Sequence, residues 1–197
     1  MSGMDRAERV RLLRRGSNVK RYHTESLING ETVGHHSCNV ALLCFILTDR
    51  MCSRELLLHA LTHDQAEQFI GDIPAPAKRA SEGFANYLRD MEKFLTPDGL
   101  LPPYRLSCPE EYWTFKAADY LDLCYKCLEE LEMGNSRMLH VLNNGLEYLS
   151  GLQLPSGPQA ILNELMQEIY NARERQTSGG RPLQEGCDAL PPLREDD

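Results

Sequence analysis

The sequence predicts an all-α protein, a single domain built from six or seven helices. Apolar residues recur at close to helical spacing, as at positions 33, 40, 43, 46 and 47, whereas strand signals are scarce. Glycine, proline and short polar residues separate these apolar segments, as expected where helices begin and end. With 197 residues, 42% of them hydrophobic, the chain can bury a substantial core.

The first half of the chain is predicted to contain a short basic helix, an extended loop and three longer helices. The basic helix covers residues 5–15, and the loop covers residues 18–32. Ser53 is a good N-cap, Gly71 suits a helix end, and Pro74 suits a first helical turn. These signals predict helices over residues 33–50, 53–71 and 74–95.

The second half is predicted to hold a proline-rich loop, three helices and a polar tail. The loop over residues 96–112 contains four prolines and Asp98-Gly99. Proline followed by two acidic residues begins the next helix at Pro109. The predicted helices are residues 109–132, 136–152 and 158–175. Residues 177–197 are rich in glycine, proline and charge, which predicts a disordered tail after a domain over residues 1–176.

Charge and cysteine content narrow the class of protein. A net charge of −8 argues against general binding of nucleic acid. The basic N-terminal segment is most often a solvated helix face, although it could also attract a small polyanion such as a nucleotide. Seven cysteines, mostly inside apolar helical runs, favour reduced thiols in a cytoplasmic protein. We find no signal peptide and no run long enough to span a membrane.

A leucine-rich segment carries an unusual group of ionisable residues, His63, Asp64 and Glu67. One imidazole and one carboxylate leave a divalent ion short of ligands, so other helices would have to contribute. The candidates are His35 or His36, and Asp119 or Asp122. A histidine on an apolar helix is more often a hydrogen-bonded core residue, and His-Asp is a common dipeptide. The pattern of His, then His-Asp, then Asp on three helices favours a metal site.

Three stretches together resemble the HD-domain phosphohydrolases: TVGHHSCNVALL, LLLHALTHDQAEQFIGDIPAP and FKAADYLDL. The resemblance covers about residues 16–130 and implies a single HD-domain helical bundle. The most similar branch contains bacterial 5'-deoxynucleotidases and phage dATP triphosphohydrolases. The run GSNVKRYHTESLINGETVGHHS and the short chain favour the phage enzymes.

The resemblance implies a metal site, beside which we predict two catalytic acids, Glu67 and Asp72, although Glu67 could also be a solvated surface carboxylate. The implied ligands are His36, His63, Asp64 and Asp119. Two imidazoles and two carboxylates suit one divalent Co, Mn, Zn, Fe or Mg ion, and further Mg or Mn could accompany the phosphates. Glu67 would orient or deprotonate the attacking water, with Asp72 as an alternative or supporting acid.

We also predict a substrate site formed by Arg21, Tyr22, Thr24, Pro76 and Lys78, in which Thr24 and Pro76 would line the base pocket. The resemblance assigns Tyr22 to the sugar, although this residue could instead anchor the loop on the core. Arg21 and Lys78 would bind phosphate, since guanidinium and ammonium groups pair with its oxygens. The Tyr22 ring would reject a ribose 2'-hydroxyl. Two residues depart from the family pattern: tyrosine at position 22, where tryptophan is common, and His35, where glutamate is common.

The expected reaction is attack of activated water on the α-phosphorus of a 2'-deoxynucleotide. The favoured substrate is dATP, cleaved to deoxyadenosine and triphosphate, which would deplete the dATP pool in the host cytoplasm during phage infection. The alternatives are a 5'-deoxynucleotidase acting on deoxynucleoside monophosphates, a non-catalytic nucleotide-binding oligomer and, less favoured, a cyclic-nucleotide phosphodiesterase. We expect a homo-oligomer that binds neither nucleic acid nor membrane.

Overall fold

The predicted all-α fold is confirmed by the computed structural model, which describes residues 4–98, 100 and 101, 106, and 108–178. Within these ranges there are seven α-helices of nine or more residues, two shorter ones and a 3₁₀ turn, and no strand. An isolated antiparallel bridge joins Lys20 to Thr32 and closes the loop between the first two helices. In these same ranges, no helix is both long enough and apolar enough to cross a membrane.

Nine α-helices follow one another along the described chain. Their bounds are α1 Arg6–Ser17, α2 Val33–Leu47, α3 Arg54–Thr62, α4 Glu67–Ile70, α5 Ala75–Arg79, α6 Glu82–Leu95, α7 Pro109–Glu132, α8 Leu139–Ser150 and α9 Ser156–Ser178, with a 3₁₀ turn over Ser136–Met138.

Helix α7 is the central element of the core. It packs against α2, α3, α8 and α9, and its apolar residues Leu121, Cys124 and Leu128 are buried. The approach of α8 requires Gly145, because an added Cβ there would lie 2.8 Å from the Cys124 sulfur. Both cysteines of the Cys124-Tyr-Lys-Cys127 stretch are buried in this core, which agrees with a packing role.

Several predicted helices end earlier than expected, because backbone geometry or a side-chain hydrogen bond stops the helix. Helix α2 ends at Leu47 rather than residue 50, since Asp49 and Arg50 adopt left-handed backbone angles. Helix α3 ends at Thr62, whose hydroxyl donates to the carbonyl of Leu58. The single helix predicted over residues 53–71 is therefore wrong, and a turn separates α3 from the short α4.

The other boundaries differ less. The helix predicted over residues 74–95 is split into α5 and α6, and the Ser81 side chain caps the second by accepting from the Phe84 N–H. Helix α9 continues to Ser178, two residues into the predicted tail. Residues 179–197 lie outside the described part of the chain, so the predicted disorder stays a prediction.

Candidate active site

Three parts of the chain bring four ionisable side chains together. Helix α2 contributes His36, the turn after α3 contributes His63 and Asp64, and α7 contributes Asp119. The Nε2 atom of His36 lies 3.3 Å from the His63 Nε2 and 3.4 Å from an Asp119 carboxylate oxygen. The Asp64 Oδ2 lies 3.2 Å from the His63 Nε2 and 3.6 Å from the His36 Nε2.

These separations fit a shared divalent cation. Donor atoms bound to one ion at about 2.1 Å are about 3.0–3.4 Å apart in octahedral or tetrahedral arrangements. His36, His63 and Asp119 each offer one donor atom within 4.8 Å of the others, and the Asp64 carboxylate lies within 3.6 Å of both imidazoles. Two imidazoles and two carboxylates are a donor set suited to a borderline metal ion.

A buried carboxylate orients His36, which is fully buried itself. The Nδ1 atom of His36 lies 2.6 Å from the Asp122 Oδ2, so the opposite nitrogen faces His63 and Asp119. Burial disfavours the imidazolium, but hydrogen bonds to Asp119 and Asp122 outweigh it and raise the pKa of His36 to about 9. The pocket therefore favours positive charge beside these carboxylates.

Arg21 links the loop before α2 to this cluster. Its Nη1 donates to the Asp64 Oδ2 at 2.8 Å, and its Nε lies 3.4 Å from the buried Glu31 carboxylate. Burial raises the pKa of Asp64, but His63 and Arg21 outweigh that effect and hold it well below its usual range. Asp64 is thus held as a carboxylate.

Asp119 is held from its other side by Lys116, one turn earlier on α7. The Lys116 ammonium donates to the Asp119 Oδ2 at 2.8 Å, while the Oδ1 faces His36. Burial acts against its ionisation, yet the His36 hydrogen bond and the Lys116 charge keep the pKa of Asp119 well below its usual range. Lys116 also lies 5.2 Å from the centre of the Phe115 ring.

Glu67, which is predicted to orient or deprotonate the attacking water, is buried at the start of α4. Its Oε1 accepts from Lys78 at 3.3 Å, and its Oε2 has no hydrogen-bond partner among the described residues. Burial, with the nearby Asp64 charge, raises the pKa of Glu67 to about 8. An acid with such a pKa can exchange a proton near neutral pH.

The loop between α1 and α2 presents the predicted substrate residues. Tyr22 has a left-handed backbone with φ of 56°, and its N–H donates to the Asp72 Oδ2 at 3.2 Å. Its phenol oxygen is buried without a hydrogen-bond partner in the described ranges. Thr24 lies exposed in the same turn. Asp72 thus holds the loop, and its charge also acts on Glu67 and Lys78, so its role as a supporting acid stays a prediction.

Three further residues are His35, His59, whose ring centre lies 6.4 Å from that of His63, and Pro76. His35 is exposed on the surface of α2, although it is adjacent to the buried His36. His59 packs edge-on against Phe115, with ring centres 4.3 Å apart. Pro76 belongs to α5, but its side chain lies outside the described part of the structure.

Sequence reasoning missed two groups and left a third open. Glu31 and Lys116 each pair with a predicted site residue, and both lie inside stretches that carry the resemblance, although no role was predicted for them. Asp122 was an open alternative, and it contacts His36 from behind. The spacing of three residues between Asp119 and Asp122, which places both on one helix face, could have indicated this.

Two solved structures share the fold. An HD-domain phosphohydrolase of Listeria innocua superposes with a TM-score of 0.70 at 20% identity, covering 90% of this chain and 100% of that chain. The cyanophage S-2L HD phosphohydrolase DatZ, solved with dA and one catalytic Zn²⁺ ion, gives 0.60 at 20% identity, covering 87% and 99%. Both superpositions show that this chain has the helical fold of those two proteins.

Sequence comparison identifies the family. Residues 9–169 match the YfbR-like family, described as 5'-deoxynucleotidase YfbR-like. The 5'-deoxynucleotidase ECA3034 of Pectobacterium atrosepticum and YfbR of Salmonella arizonae are each 28% identical over 139 residues, covering 60% of this chain and 70% of the relative. The chain belongs to the YfbR-like 5'-deoxynucleotidase family and is a deoxynucleotide phosphohydrolase of the HD type.

Proposed function

We propose that the chain is a metal-dependent 5'-deoxynucleotidase that hydrolyses 2'-deoxynucleoside monophosphates to deoxynucleosides and phosphate. The observation that carries the proposal is the arrangement of four side chains centred on His36: its Nε2 lies 3.3 Å from His63, 3.6 Å from Asp64 and 3.4 Å from Asp119. The buried acid Glu67 beside this cluster adds a group for proton transfer. Family membership supports the choice of substrate.

We assign those four side chains as ligands of one divalent ion, which would be Co, Mn, Zn, Fe or Mg. When bound, such an ion polarises phosphoryl oxygens and lowers the pKa of water. Asp122 would keep His36 oriented, through its hydrogen bond to Nδ1. Lys116 would keep one Asp119 oxygen directed at the imidazoles, since it holds the other.

Glu67 is assigned the proton transfers. Its carboxylate would accept a proton from the attacking water as the new phosphorus–oxygen bond forms. The 5'-oxygen leaves as the old bond breaks, and the proton held by Glu67 can pass to it. Lys78 lies 3.3 Å from the Glu67 carboxylate, so its charge would stabilise the ionised base and bind the phosphate.

The loop residues are assigned to substrate binding. Arg21 would exchange part of its contact with Asp64 for phosphate oxygens. Tyr22, fixed through its backbone by Asp72, would pack on the sugar where a 2'-hydroxyl would clash. Thr24 and Pro76 stay proposals for the base pocket, supported by their sequence proximity to Tyr22 and Lys78.

A dATP triphosphohydrolase is the second candidate, because it would cleave the same phosphorus–oxygen bond and because DatZ shares the fold. The balance of charge favours the monophosphate. The cations Arg21, Lys78 and Lys116 each already pair with a carboxylate at 2.8–3.3 Å. A triphosphate carries more negative charge and would need added Mg or Mn, or the exposed arginines of α1, as counter-charge.

The test is product analysis. Chelator-treated protein is reloaded with Mn or Co, incubated with dAMP, dATP or AMP, and the products are resolved by ion-exchange chromatography. Phosphate and deoxyadenosine from dAMP support the proposal, and triphosphate released from dATP alone replaces it with the second candidate. Turnover of none of the three by fully metal-loaded protein rejects both.

We also propose that the protein assembles as a homo-oligomer. Helix α2 is apolar on its outer side as well as its buried side, with Leu42, Phe45 and Ile46 exposed. A molar-mass measurement by light scattering tests this: a monomeric mass at micromolar concentration contradicts it.

A further inference from the structure

Helix α7 carries a buried carboxylate, Glu130, that no part of the proposed reaction uses. It lies 11 residues after Asp119 and eight after Asp122, on the same face of the helix. Its side chain is fully buried, which is rare for glutamate unless donors satisfy both oxygens. The loop between α1 and α2 supplies two of those donors.

Four donors surround Glu130. The Ile28 N–H donates to Oε2 at 2.8 Å, and the Asn29 N–H donates to Oε1 at 2.9 Å. The Asn135 side-chain amide donates to Oε2 at 2.8 Å, and the Lys126 ammonium lies 3.2 Å from Oε1. Asn135 also donates to the Ser26 carbonyl, so the turn after α7 holds the loop at a third point.

The anchored loop is the one that carries Arg21 and Tyr22. Its two ends are joined, because the Arg21 N–H donates to the Glu31 carbonyl at 3.0 Å and Lys20 pairs with Thr32. A shift at Ile28 and Asn29 would therefore reach Arg21 and Tyr22 through a short closed segment.

We propose that Glu130 is a positioning residue for substrate recognition, which fixes the loop so that Arg21 reaches Asp64 of the metal cluster and Tyr22 keeps its contact with Asp72. Only a carboxylate can accept from all four donors, since a glutamine would turn its own NH₂ toward an N–H or toward Lys126. The inference rests on the proposed function for the roles of Arg21 and Tyr22.

Glu130→Gln tests it through readouts that a general loss of stability would not move. We expect the KM for dAMP to rise about 10- to 100-fold, because small misplacements of binding groups carry effects of that size. The preference for dAMP over AMP should fall with it, and this ratio does not depend on the folded fraction. Metal affinity of the apoprotein, measured by calorimetry, should not change.

The matched control is Ile169→Val, which removes one methyl group from the buried core on α9 and leaves the hydrogen bonds between the loop, Glu130 and Asn135 in place. It should keep the wild-type KM and sugar preference. Asn135→Ala is the milder second variant if Glu130→Gln does not fold, since it removes the Ser26 contact and one Glu130 donor. An unchanged KM and an unchanged dAMP preference in the folded variant overturn the proposal.

Amide hydrogen exchange separates this inference from the proposed function. The Arg21 and Tyr22 amides are hydrogen-bonded to the Glu31 carbonyl and to Asp72, so they should be protected in the wild type. Loss of that protection in Glu130→Gln, with core amides unchanged, supports the positioning role even if the wild type hydrolyses no nucleotide. Full retention of protection at both amides contradicts it.

Discussion

Helix α7 carries two carboxylates, the half-buried Asp119 and the fully buried Glu130, that have opposite surroundings. Glu130 accepts from two backbone N–H groups, one amide and one ammonium, so its oxygens are saturated by donors that belong to the fold. Asp119 has one oxygen on Lys116, and its other oxygen faces His36, beside His63. Only the second environment leaves a carboxylate oxygen for an added cation.

The difference separates acids that hold the chain from acids that do chemistry. N–H donors that surround a carboxylate lower its pKa, and the hydrogen bonds they form stabilise the fold. A carboxylate that lies beside other acids and imidazoles instead forms a site whose negative charge is balanced by a proton or by a metal ion. Substitutions at the metal cluster should therefore change metal binding and turnover, whereas substitution of Glu130 should change the response of stability to pH.

Removal of an imidazole from the cluster should have the largest effect. We expect His36→Ala to lose bound metal and to lower kcat/KM on the order of 1000-fold or more, since the metal contributes several kcal/mol to catalysis. Metal content by mass spectrometry and turnover of dAMP measure both losses. The neighbouring exposed His35→Ala is the control, and equal losses in the two variants contradict the assignment.

Glu67→Gln should separate metal binding from chemistry. The amide cannot accept a proton from water, so we expect kcat to fall about 100- to 10,000-fold while metal content stays at the wild-type level. Glu55→Gln, on the exposed side of α3, should retain full activity. A Glu67→Gln enzyme that keeps wild-type kcat removes Glu67 from the mechanism.

Asp122→Asn should weaken metal binding without abolishing it. The carboxylate contacts only the Nδ1 of His36 among the implied ligands, and loss of such support lowers metal affinity about 10- to 100-fold. Competition with a chromogenic chelator gives the affinity, and the exposed Asp90→Asn on α6 is the control. Unchanged affinity would mean that His36 keeps its orientation through packing alone.

Lys78→Met should move the pH profile. A general base works when ionised, so activity should fall as the pH falls through the pKa of Glu67, which is raised to about 8 in the metal-free protein. The Lys78 charge opposes that rise, so its loss should move the acid limb of kcat to higher pH. Lys93→Met, exposed on α6, should leave the limb in place.

The sequence predicted the all-α fold and most helices because apolar spacing and capping residues are local signals. The end of α3 at Thr62 was not predicted, since the polar residues that follow it have spacing typical of a helix. His63 and Asp64 therefore reach the cluster from a turn, where adjacent side chains can converge more easily than on a helix face.

The four cluster residues came from motif resemblance, because nothing local in the sequence reports contacts between α2, α3 and α7. The choice between His35 and His36 depends on burial, which requires the packing of α2 on α7. Glu130 was out of reach for the same reason: its two backbone donors, Ile28 and Asn29, lie about 100 residues away.

The smallest effect should be the response of stability to acid, and it tests the Glu130 side of the contrast. Burial acts against ionisation, but its hydrogen bonds lower the pKa of Glu130 to about 2, against 4.5 for an ordinary glutamate. The unfolded chain therefore binds about one more proton than the native protein between these values, so this contribution to stability is complete above about pH 4.5 and is lost toward pH 2.

Glu130→Gln has no such group, and its melting temperature should fall less steeply than that of the wild type over this range. Parallel slopes by circular dichroism would contradict an ionised anchor. Glu129→Gln, one residue earlier and exposed, should keep the wild-type slope.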